Sequence, residues 1–93
     1  MTTESAFSGD VMDVLGQLFE AGATALGSGD PDPDTARQIL TSARTVATNK
    51  LPEGEFRERL RHGAGEALAH LDAAPELAAE HCQSMVREVD ARR

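Results

Sequence analysis

Tryptophan and tyrosine are absent from this sequence of 93 residues, which contains only three phenylalanines and one cysteine. Because Cys82 has no partner, no disulfide can form within the chain, which fits a reducing compartment and predicts a cytoplasmic protein. The scarcity of large aromatic side chains makes a selective ligand pocket hard to build. No catalytic triad pattern or phosphate-binding glycine motif stands out either, so we expect a protein that is not an enzyme.

Long apolar runs and an excess of basic residues are also missing. No stretch approaches the roughly 20 apolar residues of a membrane span, and the N-terminal residues lack the basic and apolar regions of a secretory signal. Sixteen acidic residues against nine basic ones give a formal net charge of −7. Because nucleic acids and anionic membranes attract clustered Lys and Arg, we expect neither of them as a partner.

Large aliphatic side chains are scarce as well, and alanine takes their place. Leu, Ile, Val and Phe together account for 18 residues, whereas alanine alone accounts for 15. Alanine buries little apolar area, so we expect a thin core. Faces built from alanine either allow two helices of one chain to approach closely, or they are covered by a second copy of the chain or by another partner.

The hydrophobic pattern divides the chain into amphipathic helices of a single domain. It predicts an all-α fold, a small four-helix bundle that is roughly antiparallel with short loops. Residues 1–7 are expected to be a flexible N-terminus in which Phe7 packs on Met12, and the expected helices span residues 8–26, 33–48, 53–72 and 75–91. Pro75 breaks or kinks the chain, which leaves open whether the third and fourth helices are separate or form one bent rod.

Residues that can hold a metal ion recur on the third and fourth helices. His62, Glu66 and His70 follow one another at intervals of four, and antiparallel pairing of the two helices brings His70 towards His81. A cluster of His70, His81 and Cys82 suits zinc or copper, with Glu66 or His62 assisting. In the alternative interpretation no cofactor binds, and Cys82 is a small buried apolar residue beside two boundary histidines.

Two functional hypotheses follow from these patterns. The leading one is a non-enzymatic interaction module, a small acidic regulatory, adaptor or accessory protein that acts through an Ala-rich helical face, most simply as a homodimer. The residues expected at that interface are Phe19, Gly22, Leu26, Ala64 and Leu68. The second hypothesis is a metal-binding or metal-sensing bundle that uses His70, His81 and Cys82.

Overall fold

The computed structural model describes residues 8–27 and 29–93, so the predicted flexible N-terminus and its Phe7 contact lie outside the described residues. Four helices follow one another in these residues: α1 (Gly9–Gly27), α2 (Pro33–Lys50), α3 (Glu55–Ala69) and α4 (Pro75–Ala91). The predicted all-α four-helix bundle is confirmed. None of the four described helices combines the length and the apolar character that crossing a bilayer requires.

The start of α2 is fixed by its capping residue, Asp32. The Asp32 carboxylate accepts hydrogen bonds from the Thr35 backbone N–H at 3.1 Å and from the Thr35 hydroxyl at 2.7 Å. These bonds, the hydroxyl bond most of all, lower the pKa of Asp32 below its ordinary value. Pro33 occupies the first turn, where its missing N–H would have no helical partner in any case.

The third and fourth helices are separate. α3 begins after Gly54, whose φ of 153° favours glycine, and it ends at Ala69, so it is shorter than the expected span. A turn over residues 70–73 then reverses the chain before α4 begins at Pro75. This reversal places α4 antiparallel to α3, with Arg59 near the start of α3 paired to Glu88 near the end of α4.

Each helix packs against two others, so that the contacts between α1 and α2, α2 and α3, α3 and α4, and α4 and α1 close a ring. The Ala-rich faces meet inside this ring. Of the 20 buried apolar residues in the described chain, eight are alanine. The largest fully buried side chains include Phe19, Leu15 and Leu40, which fill the space that the alanines leave. The small residues therefore bring the four helices close to one another.

Candidate metal centre

Four of the five residues expected at an intermolecular interface lie in the chain's own core, which corrects that expectation. Phe19 and Ala64 are 0% exposed and Leu26 is 2% exposed, and Gly22 is buried in α1. Leu68 is the one member of the set that is only partly buried. The physical reason is that the Ala-rich helix faces pack on each other within one chain, so these four residues cannot reach a partner.

Two large apolar side chains are strongly exposed in the described part of the chain, Val14 at 43% and Leu77 at 40%. The neighbour of Val14, Asp13, pairs with Arg93 beyond the end of α4, whereas Leu77 lies in the first turn of α4. The two side chains therefore lie at opposite ends of the α1–α4 pair and form no common patch. The apolar periodicity of residues 75–91 predicts that Leu77 lies on the inward face of α4, and its exposure shows that this prediction is wrong.

Glu66, His70 and His81 come together near the turn that joins α3 to α4. Each offers one potential ligand atom, and these three atoms lie within 4.8 Å of one another. The rings of His70 and His81 face each other from the two helices, with centroids 5.7 Å apart and planes tilted by 32°. All three side chains are partly buried, so the group lies at the surface of the bundle and is accessible to an ion from solvent.

A backbone hydrogen bond orients the His70 ring. His70 is the C-cap residue that directly follows α3, and its Nδ1 lies 2.8 Å from the carbonyl oxygen of Glu66. In the tautomer that donates from Nδ1 to this carbonyl, the lone pair for an ion is on Nε2. Histidines that bind metals commonly hold their second nitrogen in this way, which fixes both the tautomer and the ring orientation.

The three ligand atoms need a small movement to hold an ion. Zinc–ligand bonds of about 2.0–2.2 Å in a tetrahedral site place neighbouring ligand atoms about 3.3–3.5 Å apart. The three atoms lie within 4.8 Å of one another, and the Glu66 side chain is 41% exposed. Rotation of that carboxylate therefore supplies most of the movement. His62 Nε2, 4.0 Å from the same carboxylate, belongs to a 78% exposed side chain at the outer edge.

Cys82 does not belong to this group, although it follows His81 directly. Its side chain is 0% exposed and points towards α1, where a Cβ built on Gly22 would lie 3.3 Å from Sγ. Burial raises the pKa of the Cys82 thiol to about 11, which disfavours the thiolate that binds metals. The structure therefore brings together two imidazoles and one carboxylate, with Glu66 in the place that the sequence hypothesis gave to Cys82.

Comparison with known proteins identifies one family. The model of the domain of unknown function DUF8101 matches residues 1–91. The matched range includes all four helices and ends at the last residue of α4. No curated protein and no solved structure matches the chain.

Proposed function

The chain belongs to the DUF8101 family, and we propose that it is a non-enzymatic metal-binding bundle that holds a zinc or copper ion between α3 and α4. One observation carries the proposal: Glu66, His70 and His81 converge from two helices to within 4.8 Å. The hydrogen bond from His70 to the Glu66 carbonyl supports it, because one ligand is already oriented by the helix that bears it.

The donor atoms select the class of metal. Two imidazoles and one carboxylate suit zinc or Cu(II), whereas calcium and magnesium prefer sites made of oxygen ligands alone. Three ligands from the chain leave one position of a tetrahedral site open for water or for a donor from another molecule. Because the group is only partly buried, the proposed site exchanges its ion with solvent, as expected of a metal-responsive module.

An ion at this position would connect α3 to α4 next to the turn between them. Because the three ligands converge only in the folded bundle, binding should stabilise the folded state. At an ion concentration of 100 times Kd the gain is about 2.7 kcal/mol. For a domain of 60–100 residues, about 1 kcal/mol corresponds to 4–8 °C in Tm, so the expected increase is roughly 10–20 °C.

The test is a metal titration of the full chain after treatment with EDTA. We expect one zinc or copper ion per chain by isothermal titration calorimetry, with the increase in Tm given above and no comparable increase with magnesium. His81→Gln should abolish the increase, and far-UV circular dichroism should show that the variant remains helical. His81 is partly exposed, so this replacement leaves the core intact.

Cys82→Ala is the matched control, since it removes the other potential ligand on the same helix. It should bind the ion with unchanged stoichiometry, even if the small cavity lowers its starting Tm. Absence of stoichiometric binding by the unmodified chain would contradict the proposal. Loss of binding in Cys82→Ala together with retained binding in His81→Gln would contradict the ligand set.

The interaction-module and homodimer hypothesis stays a prediction. The part of the Ala-rich surface that remains accessible is a shallow groove of about 520 Å³ between α1 and α2, whose small and apolar lining includes Ala21, Ala25 and Ile39. Such a groove can receive a helix, but its polar borders at Gln17 and Glu20 specify no particular partner. The convergence of metal ligands is the more specific feature, and it therefore determines the proposal.

A further inference from the structure

A groove between α2 and α3 concentrates positive charge on a chain whose formal net charge is −7. Its volume is about 290 Å³, and it is lined by Thr41, Arg44, Thr45, Thr48, Arg61 and Leu68. The residues from α2 recur at intervals of three and four, so they share one helix face. Arg61 and Leu68 stand seven positions apart on α3 and share a face in the same way. Two adjacent helices thus hold both sides of the groove.

Arg44 has no counter-charge among the described residues that line this groove. Within residues 8–27 and 29–93, no hydrogen bond or ion pair reaches its guanidinium. The group lies beside Gly65 of α3, where an added Cβ would be 3.8 Å from Nη1 and 3.9 Å from Cζ. Because Gly65 has no side chain, the guanidinium reaches the backbone of α3 one turn away from Arg61. A guanidinium with no acidic partner among the described residues is therefore positioned between the two helices.

Arg61 pairs with Glu58, but this pair does not use all of its N–H donors. Its Nη1 donates to the two carboxylate oxygens of Glu58 at 3.3 and 3.1 Å. The same carboxylate lies 3.8 Å from Nε of Arg57, which also pairs with Glu53 at 3.9 Å, so two carboxylates face the two guanidiniums. Arg61 Nε is buried and has no hydrogen-bond partner in the described chain. The groove therefore retains positive charge and unused N–H donors after its internal pairs are formed.

We propose that this groove binds the phosphate group of a small phosphate ester. Two guanidiniums offer forked N–H donors that match phosphate oxygens. The hydroxyls of Thr41 and Thr45 can add neutral donors, whereas the Thr48 hydroxyl already donates to the Arg44 carbonyl at 2.9 Å. Leu68 supplies an apolar wall for the carbon part of the ester. This binding site is independent of the metal proposal, since it uses other residues and no ion.

The groove volume sets the size of the ligand. Small-molecule sites occupy roughly 300–1,000 Å³, and the groove, at about 290 Å³, lies just below that range. A phosphate monoester with a short carbon chain fits this space. The test is therefore a titration of the full ¹⁵N-labelled chain with inorganic phosphate, glycerol 3-phosphate and acetate at constant ionic strength, followed by amide chemical shifts.

We expect saturable shift changes confined to residues 41–48 and 61–68, with glycerol 3-phosphate binding at least as tightly as inorganic phosphate. Arg44→Gln should weaken phosphate binding about tenfold, which is the lower end of what the loss of a charged hydrogen bond costs. Arg61→Gln should weaken it similarly. Arg87→Gln is the matched control, because Arg87 is an exposed arginine on α4, and it should leave the affinity unchanged.

Any one of four results would overturn the proposal. Equal weakening in Arg44→Gln and Arg87→Gln, or shift changes spread over all arginines, would show unspecific screening of cations. An acetate response as strong as the phosphate response would remove the preference for phosphate. If the groove bound inorganic phosphate but not glycerol 3-phosphate, the proposal that its ligand is a small phosphate ester would be contradicted.

Discussion

Replacing Gly63 by alanine is expected to destabilise the bundle, although the same replacement at Gly65 is expected to stabilise it. Both residues lie inside α3, and alanine is favoured over glycine by up to about 1 kcal/mol in a helix interior. The two sites therefore share their helix propensity and differ in what the new methyl group meets. Comparing the stabilities of the two variants therefore isolates the free-energy cost of adding a methyl group where α3 lies close to α4.

At Gly63 the new methyl group has no space. A Cβ there would lie 2.8 Å from both Cγ and Cε of Met85 and closer still to Sδ. Met85 is 6% exposed, so its side chain cannot move into solvent without losing core contacts. Overpacking of this kind costs about 1–3 kcal/mol. Set against the propensity gain of up to about 1 kcal/mol, a net destabilisation of about 1 kcal/mol is expected.

At Gly65 the new methyl group meets only the Arg44 guanidinium, at 3.8 and 3.9 Å, which is ordinary van der Waals contact. The propensity gain of about 0.5–1 kcal/mol then remains. The two variants should differ by about 2 kcal/mol, which corresponds to roughly 8–16 °C in Tm for a domain of this size.

Thermal and urea unfolding followed by far-UV circular dichroism measures this difference. A double-mutant cycle adds Met85→Ala, which removes the atoms that the Gly63 methyl group would meet. In that background Gly63→Ala should be tolerated, with a coupling energy of about 1 kcal/mol or more. Equal stability of the two single variants, or a coupling energy near zero, would refute the reasoning from close helix approach.

Two further predictions concern titratable groups. Burial raises the pKa of Cys82 from 9.0 to about 11, so iodoacetamide should label the thiol at pH 8 only after unfolding, and rapid labelling of the folded chain would contradict this. The unfolded thiol ionises first as pH rises, so stability should fall between about pH 9 and 11, and Cys82→Ala should remove that slope. The hydrogen bonds from Thr35 lower the pKa of Asp32 in the folded chain. The Asp32 cap therefore stabilises α2 fully at pH values above the ordinary carboxyl pKa, and this stabilisation is lost as the pH falls through the pKa of Asp32 in the folded chain. Asp32→Ala should therefore lower Tm at pH 7 and make the free energy of unfolding depend less on pH under acidic conditions. An unchanged pH dependence under acidic conditions would argue against the cap.

The helix starts at Pro33 and Pro75 could be predicted because proline marks a first turn through its own covalent structure. The end of α3 could not. No glycine or proline stands between Ala69 and Ala74, and the alanines favour helix, so the pattern predicts helix to residue 72. The chain instead turns after Ala69, which lets α4 pack back on α3. That boundary depends on tertiary packing and not on local sequence.

The orientation of α4 was predictable only in part. Ala78, Met85 and Val89 are buried as the periodicity predicts, but Leu77 is 40% exposed. Antiparallel pairing places the first turn of α4 beyond the last turn of α3, which ends at Ala69. Leu77 therefore has no facing helix to cover it. Periodicity reports which side of a helix is apolar, but it does not report how far the neighbouring helices extend.

The candidate metal site could also be predicted only in part from the sequence. The Glu66–His70 spacing and the antiparallel pairing together predict that His70 and His81 meet. Which neighbour joins them depends on helix rotation: consecutive residues point about 100° apart, so when His81 faces α3, Cys82 faces α1. The buried Gly22 provides the space for the sulfur. Rotation of this kind follows from all four packing faces together and cannot be obtained from one helix alone.

The alanine content finally connects the core to the proposed ion. Eight of the 20 buried apolar residues are alanine, and each contributes little to stability compared with a buried leucine at about 1.5–3 kcal/mol. Small domains are stable by about 5–15 kcal/mol, and we expect a protein whose core is this rich in alanine to lie near the lower end of that range. An ion that adds about 2.7 kcal/mol at 100 times Kd is then a large share of the total. With so small a total, an ion bound by Glu66, His70 and His81 would change the folded fraction itself, and this change is the metal response that we propose.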